Sequence, residues 1–306
     1  MWRFPSPCGA APGKRPLGGP ERRTAMDGRR FARLGSFFLW LFPLSFFSAF
    51  SAGGCAGPER TKPVQVVVLS YNIHRGVGGD GRFDLDRVAR VIRRARPDLA
   101  ALQEVDQGTR RSKGILQARV LGEKTGLSWV FAKAMDYDGG EYGEAVLSRF
   151  PFLRIRRVPL PAEKGREPRV LLSTEVRMGE GGRGPRVYFL ATHLDHLSDA
   201  QRKAQVERIR RIVREAGDAP MILAGDLNAQ PGEASMKALF RDWTPAALSA
   251  GPTFPADRPR AKIDYVLFRP AGRWRVREAR VLEESLASDH RPLRVVLELL
   301  PPRKEE

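Results

Sequence analysis

Short apolar runs that end in polar residues, with few helix-length segments between them, set the main limit on how this chain can fold. Gln65–Leu69 leads to Asn72, Leu99–Leu102 to Glu104, Val187–Ala191 to His193, and Met221–Ala224 to Asp226 and Asn228. Ile263–Phe268 carries Asp264 near its start, and Asp289-His290 precedes the alternating apolar residues Leu293, Val295, Leu297 and Leu299. EYGEAVLSRFP is the seventh such cluster. Runs of this length and composition predict strands, and Val146-Leu147, Val170–Val176 and Val281-Leu282 complete the set.

Three segments have helical period. Asp84–Ala95 has Asp84 as cap, an apolar face of Leu85, Val88, Ile92 and Ala95, and Pro97 as stop. Leu116–Thr125 ends at Gly126, and Ala200–Ala216 is long and basic with Ala204, Ile209, Ile212, Val213 and Ala216 as its expected buried stripe. Strands outnumber helices, and many neighbouring strands have no helix between them. That pattern favours packed mixed sheets flanked by helices over a doubly wound parallel sheet.

The chain has 306 residues, 42% of them hydrophobic, enough for a substantial core. One domain is expected over residues 64–300, with 301–306 as a tail. The formal charge of +18 suits polyanions such as nucleic acid or anionic lipid headgroups. The arginines are dispersed, however, and a solvated surface explains them at least as well. Cys8 and Cys55 are the two cysteines. Neither lies in the domain, which excludes a disulfide framework, a cysteine nucleophile and a thiolate zinc site there.

Residues 26–55 read as an export signal: Met26, then Arg29, Arg30 and Arg33, then the apolar run Phe37–Phe50, then small residues. The closing Ser-Ala-Gly-Gly-Cys resembles a bacterial lipoprotein cleavage box with Cys55 as the acylated residue, although Ala52 stands where leucine is usual. Met26 then reads as the true start, 1–25 as a Pro/Gly/Arg-rich segment ahead of it, and 56–63 as a linker. The expected protein is a monomer held by its N-terminus on the outer side of a membrane.

Carboxylates, amides and imidazoles gathered at strand ends are what metal-assisted phosphate hydrolysis needs, because rigid elements position the phosphate. Mg2+ takes hard oxygen ligands and keeps several waters, so one or two carboxylates suffice. Glu104 is the first choice, with Asn72 and Asp289 near it. His290 can work with Asp264, which would orient the ring and stabilise its charged form.

Together YNIH, LQEVD, LATHL, GDLN, IDYV and SDHRPL resemble the endonuclease/exonuclease/phosphatase superfamily, over roughly residues 64–300 and in that family's order. The resemblance implies an α/β four-layer αββα sandwich of two mixed sheets, a divalent metal (Mg2+, with Mn2+ as substitute) and hydrolysis of a phosphate ester. It implies that Glu104 and Asn72 lie at the metal and that Asp289 completes the metal or phosphate shell. It further implies that His193 faces the phosphate as acid or electrophile, and that Asp226 orients or activates water with Asn228 fixing the geometry. Asp264 pairs with His290. Tyr142 can contact phosphate or pack at a sheet edge, and Arg110 or Arg111 can grip a phosphate or lie in a surface turn.

The substrate expectation covers nucleic acid and phospholipid or inositol phosphate headgroups; the alternative function is a catalytically inactive, membrane-tethered binding module. Gly76–Gly81 matches a dinucleotide-binding glycine pattern, but the next helix starts only at Asp84, so a loop is expected. His74 and His196 are expected to be ordinary hydrogen-bonded residues.

Overall fold

Twelve strands fill two six-stranded sheets in this computed structural model, which describes residues 63–302 apart from 180 and 182. The expectations for residues 1–25, for the signal at 26–55 with Cys55, for most of the linker and for the end of the tail lie outside the described residues. No helix among the described residues is long and apolar enough to cross a membrane.

In chain order the elements are β1 (Val64–Asn72), α1 (Leu85–Ala95), β2 (Leu99–Gln107), α2 (Gln117–Thr125), β3 (Ser128–Tyr137), β4 (Gly140–Ser148), β5 (Phe152–Pro159) and β6 (Val170–Arg177). They continue as β7 (Arg186–His193), α3 (Asp199–Arg214), β8 (Met221–Asp226), α4 (Ala234–Leu239), β9 (Thr244–Pro245), β10 (Asp264–Arg269), β11 (Trp274–Val281) and β12 (Leu293–Leu299). The first sheet runs β11-β12-β1-β2-β4-β3 and the second β5-β6-β7-β8-β10-β9. In each sheet one pair is parallel, β1–β2 and β7–β8, and the remaining pairs are antiparallel. A helix bridges each parallel pair, as parallel strands require.

Three apolar clusters give the sandwich its layers. Val66, Val68, Val146, Phe189, Ile222 and Val295 belong to the core between the sheets. Leu69, Tyr71 and Leu102 pack with α1 and α2 on one outer face, and Leu223, Tyr265 and Leu267 with α3 and α4 on the other. This is the four-layer α/β sandwich.

The caps follow the sequence. Asp84 accepts from the Arg87 amide at 2.9 Å, and Gly126 ends α2 with φ of 70°. The glycine loop forms a 3-10 turn at His74–Gly76 and one β-bridge, Val77 to Phe83, before α1 begins. It opens no helix within its glycines.

The stripe expected on α3 is partly wrong. Val206, Ile209, Ile212 and Val213 are buried, whereas Ala204 is exposed and Ala216 lies beyond the helix, half-buried. Ala204 and Val206 are two steps apart, about 200° of helical turn, so they cannot share a face. Sequence reading also left out β3, β5 and the short β9, and of β11 it named only Val281, with Leu282 lying beyond the strand; all four are at sheet edges. β5 reads FLRIRRVP and is mostly exposed, so apolar periodicity does not mark it.

Candidate active site

The space between the sheets turns polar at one end, and the pleat explains how. Alternate residues of each strand point into that space. On β1 they run Val66, Val68, Ser70, Asn72; on β2 Leu99, Ala101, Gln103; on β7 Val187, Phe189, Ala191, His193; on β8 Ile222, Ala224, Asp226. β4 and β10 run the opposite way and begin with the polar member, Glu144 ahead of Val146 and Asp264 ahead of Val266. One register thus delivers six polar side chains to one floor. The close approach of β7 and β8 there requires Gly225, since a Cβ would stand 2.0 Å from the Thr192 carbonyl oxygen.

Glu104 reaches the site through a bulge. Pairing of β2 with β4 shifts between Leu102 and Val105, so Gln103 and Glu104 together oppose Glu144, and Glu104 adopts φ of 57°. Asn228 has φ of 48°. Non-glycine residues held in this region store strain that the surrounding fold must sustain.

Hydrogen bonds tie the two sheets together. Asn72 Nδ2 donates to Glu104 Oε1 at 3.0 Å and to Asp226 Oδ2 at 3.1 Å. Ser288 Oγ donates to the Asn72 carbonyl at 2.7 Å and sets the loop that carries Asp289 and His290. Asp226 lies between two imidazoles, with its Oδ2 3.5 Å from His193 Nε2 and 3.6 Å from His290 Nε2. His290 Nδ1 meets Asp264 Oδ2 at 2.9 Å, and Phe254 packs on the ring with centroids 4.8 Å apart. Asn228 donates its backbone N–H to Asp226 Oδ1 at 3.0 Å, and its Nδ2 lies 2.8 Å from His193 Nε2.

The charges follow from this arrangement. Burial lifts the Asp226 carboxyl to about 7, against the pull of His290 and with added repulsion from Asp264. Burial opposes charge on His290, but the Asp264 and Asp226 carboxylates outweigh it and raise the ring to about 10. Burial holds His193 well below its ordinary value, and Arg169 and His290 push the same way. The two histidines of the site therefore differ in charge at neutral pH: His290 is a cation and His193 is neutral.

The residue types fit a hard cation at Glu104. Asn72 engages one carboxylate oxygen and leaves the other for a ligand. Asp289 has a side chain that is 40% exposed, with its Oδ1 3.3 Å from Ser288 Oγ, whose hydrogen serves the Asn72 carbonyl. One atom each from Asp226, Asp264 and His290 also lie within 4.8 Å of one another. There His290 Nδ1 bonds Asp264, which leaves His290 Nε2 facing Asp226 as the open pair.

Other expected residues are engaged elsewhere. Arg110 pairs with Asp138 at 2.9 Å, and Arg111 grips Asp106 through two nitrogens while stacking 4.3 Å from the Tyr137 ring centre. Tyr142, by contrast, is buried beside the site: its ring centre is 5.5 Å from the Arg111 guanidinium and 6.3 Å from Tyr137, and burial raises its hydroxyl well above the ordinary value, with Glu104 and Glu167 adding to the effect and Arg169 opposing it. His74 Nδ1 bonds to the Val77 carbonyl at 3.1 Å, and His196 faces Arg169.

Two participants escaped sequence reading. Glu144 sits inside the EYGEAVLS cluster but drew no attention beside Tyr142. It is fully buried, and neither carboxylate oxygen has a hydrogen-bond partner. Arg169 follows Glu167-Pro168 and reaches His193 Nδ1 at 2.9 Å. Among 53 lysines and arginines, nothing in the sequence distinguishes it.

Comparison with known proteins agrees with this geometry. The model of the Endonuclease/Exonuclease/phosphatase family matches residues 69–290. No curated protein sequence matches the chain. Among solved structures, an endonuclease/exonuclease/phosphatase from Beutenbergia cavernae DSM 12333 is 27% identical with a TM-score of 0.64, over 78% of this chain and 72% of that one. A mannosyl-6-phosphatase from Bacteroides thetaiotaomicron VPI-5482 is 20% identical with a TM-score of 0.62, over 76% and 99%. The human Nocturnin catalytic domain with bound sulfate is 21% identical with a TM-score of 0.61, over 78% and 94%. The latter two likenesses speak for the fold.

Proposed function

We propose, from the premise that this chain belongs to the Endonuclease/Exonuclease/phosphatase family, that it is a Mg2+-dependent phosphodiesterase acting outside the cytoplasm. One observation carries the reading. A buried carboxylate, Asp226, stands between two imidazoles and shares Asn72 with Glu104, the residue best suited to a metal.

In this reading Glu104 and Asp289 would hold Mg2+, or Mn2+ in its place, with Asn72 orienting the Glu104 carboxylate while its own Oδ1 accepts from the His74 amide. When bound, the ion neutralises charge on the phosphate oxygens and the departing oxygen. Asp226 accepts the proton of the attacking water, and the backbone N–H of Asn228 fixes the carboxylate for that task. His290, kept cationic by Asp264, lies where negative charge develops on the phosphate. His193 supplies a neutral N–H.

The substrate class is a phosphodiester of nucleic acid or of a lipid or inositol phosphate headgroup.

The test is hydrolysis of DNA, RNA, sphingomyelin, phosphoinositides and phosphosugars in Mg2+ with and without EDTA. Metal-dependent cleavage of a diester is the expected result. No turnover on any of them would favour the inactive binding module instead.

A further inference from the structure

Arg169 is 2% exposed and lies just before β6, with its guanidinium turned toward two histidines. Nη1 is 2.9 Å from His193 Nδ1 and 3.1 Å from Glu167 Oε1; Nη2 is 3.3 Å from His196 Nδ1. A guanidinium has five N–H donors and no acceptor. His193 Nδ1 must therefore present its lone pair to Arg169, and the ring hydrogen must sit on Nε2.

The opposite edge of the ring then carries a conflict. Asn228 Nδ2 is 2.8 Å from His193 Nε2 and 3.0 Å from the Leu194 carbonyl oxygen. With hydrogen on Nε2, two donors face each other. Turning the amide over offers Oδ1 to Nε2–H but sets that oxygen against the Leu194 carbonyl. Either orientation leaves one repulsive contact, and it is relieved only when an acceptor displaces the Asn228 amide from the Nε2–H. The other groups that face this ring are Asp226 at 3.5 Å and the charged or ionisable His290 and His196.

We propose that Arg169 is a positioning residue that locks His193 into the tautomer with hydrogen on Nε2, so that His193 serves as a neutral hydrogen-bond donor to a non-bridging phosphate oxygen. Proton transfer is then left to Asp226. The identity of the acceptor rests on the phosphodiesterase reading; the tautomer does not.

The experiment is long-range 1H–15N correlation of the full chain in EDTA without substrate. The four histidines are assigned by His→Gln variants. The expected His193 pattern is an acceptor-type shift at Nδ1 and an N–H-type shift at Nε2 from pH 5.5 to 8.5, while His290 gives an imidazolium pattern. In Arg169→Met the His193 pattern should become a mixture of tautomers, and kcat should fall on the order of 100-fold with KM nearly unchanged. Arg169→Lys keeps a charged donor and should restore the pattern and most of kcat.

An N–H on Nδ1 or an imidazolium at His193 of the wild type at pH 7 would overturn the proposal, whether or not Arg169→Met folds. So would an unaltered pattern in a folded Arg169→Met. Absence of turnover on every substrate would count against the phosphodiesterase reading while the spectra still decided the tautomer.

Discussion

The two sheets have nearly the same plan and deliver different chemistry. Each has six strands, each places a parallel pair at its centre with a helix crossing over it, and each turns polar at the same end. The first sheet delivers Asn72, Gln103, Glu104 and Glu144, which are amides and carboxylates. The second delivers His193, Asp226 and Asp264, with Arg169 beside them. Oxygen donors suit a cation, whereas an imidazole next to buried carboxylates suits proton movement. The halves meet at the bond from Asn72 to Asp226, and His290, carried on the loop before β12, joins the second half through Asp264. On the proposed function, a repeated scaffold thus places a metal half against an acid–base half.

The sharpest way to break this division is to remove one member from each side and ask what metal can restore. Asp226→Asn keeps the shape and loses the base, so kcat should fall by about 10³- to 10⁴-fold. Raising Mg2+ should not recover it. Glu104→Gln should weaken apparent metal affinity on the order of 100-fold, and raising Mg2+ should restore much of the rate. Steady-state kinetics over a Mg2+ series distinguishes the two. Equal rescue of both variants would show that the halves are not separate.

The acid–base half has its own signature in pH. Asp226 must be ionised to accept a proton, so activity should rise with pH up to about 7. Bound Mg2+ should shift that limb to lower pH, since a nearby cation favours the carboxylate. His290 must be protonated to stabilise the phosphate, so activity should fall as pH passes about 10. His290→Asn should lose the alkaline limb and cost about 10²-fold in kcat. If the limb persists in that variant, another group is responsible for it.

In the metal half, Glu144 is the buried group that the reaction leaves unused. Burial raises its carboxyl well above the ordinary value, with Glu104 and Asp226 adding to the effect and Arg169 opposing it. The folded state therefore holds this proton more tightly than the unfolded chain does. The stability it contributes is present at low pH and lost as pH rises above the ordinary carboxyl range. Glu144→Gln should match the wild type near pH 4 and exceed it at pH 8 in EDTA. Each kcal/mol recovered should raise Tm by roughly 2–4 °C. A constant difference between the two proteins across that range would mean that Glu144 is ionised in the fold.

How far the sequence foretold these halves depends on what each residue needs. Asn72, His193, Asp226 and Asp264 each sit in phase with an apolar run, so their place at one floor follows from strand period, whereas Glu104 is one residue out of phase and reaches the floor only through the β2 bulge. Residues whose importance lies in a partner far along the chain gave no such signal. Arg169 looks like any other arginine until β6 is set beside β7. Glu144 matters because a bulge in the neighbouring strand β2, far earlier in the chain, puts Glu104 opposite it. Edge strand β5 and the exposed Ala204 escaped for a related reason, since burial is decided by neighbours that local pattern does not name.

The smallest expected difference lies in the two crossover helices, which hold the parallel pairs in register. Asp84 caps α1 with a 2.9 Å bond from the Arg87 amide, and Arg87 also lies 3.6 Å from its second oxygen. Ser198 caps α3 through a longer bond of 3.3 Å from Gln201. A carboxylate at a helix N-terminus also meets the positive end of the helix dipole, which a hydroxyl cannot exploit to the same degree. Asp84→Ala should therefore cost about 1 kcal/mol or slightly more, and Ser198→Ala about half of that. Urea unfolding measures both. An equal or reversed order would mean that residues beyond the cap, such as Asp199 in the first turn of α3, set the stability of the second crossover.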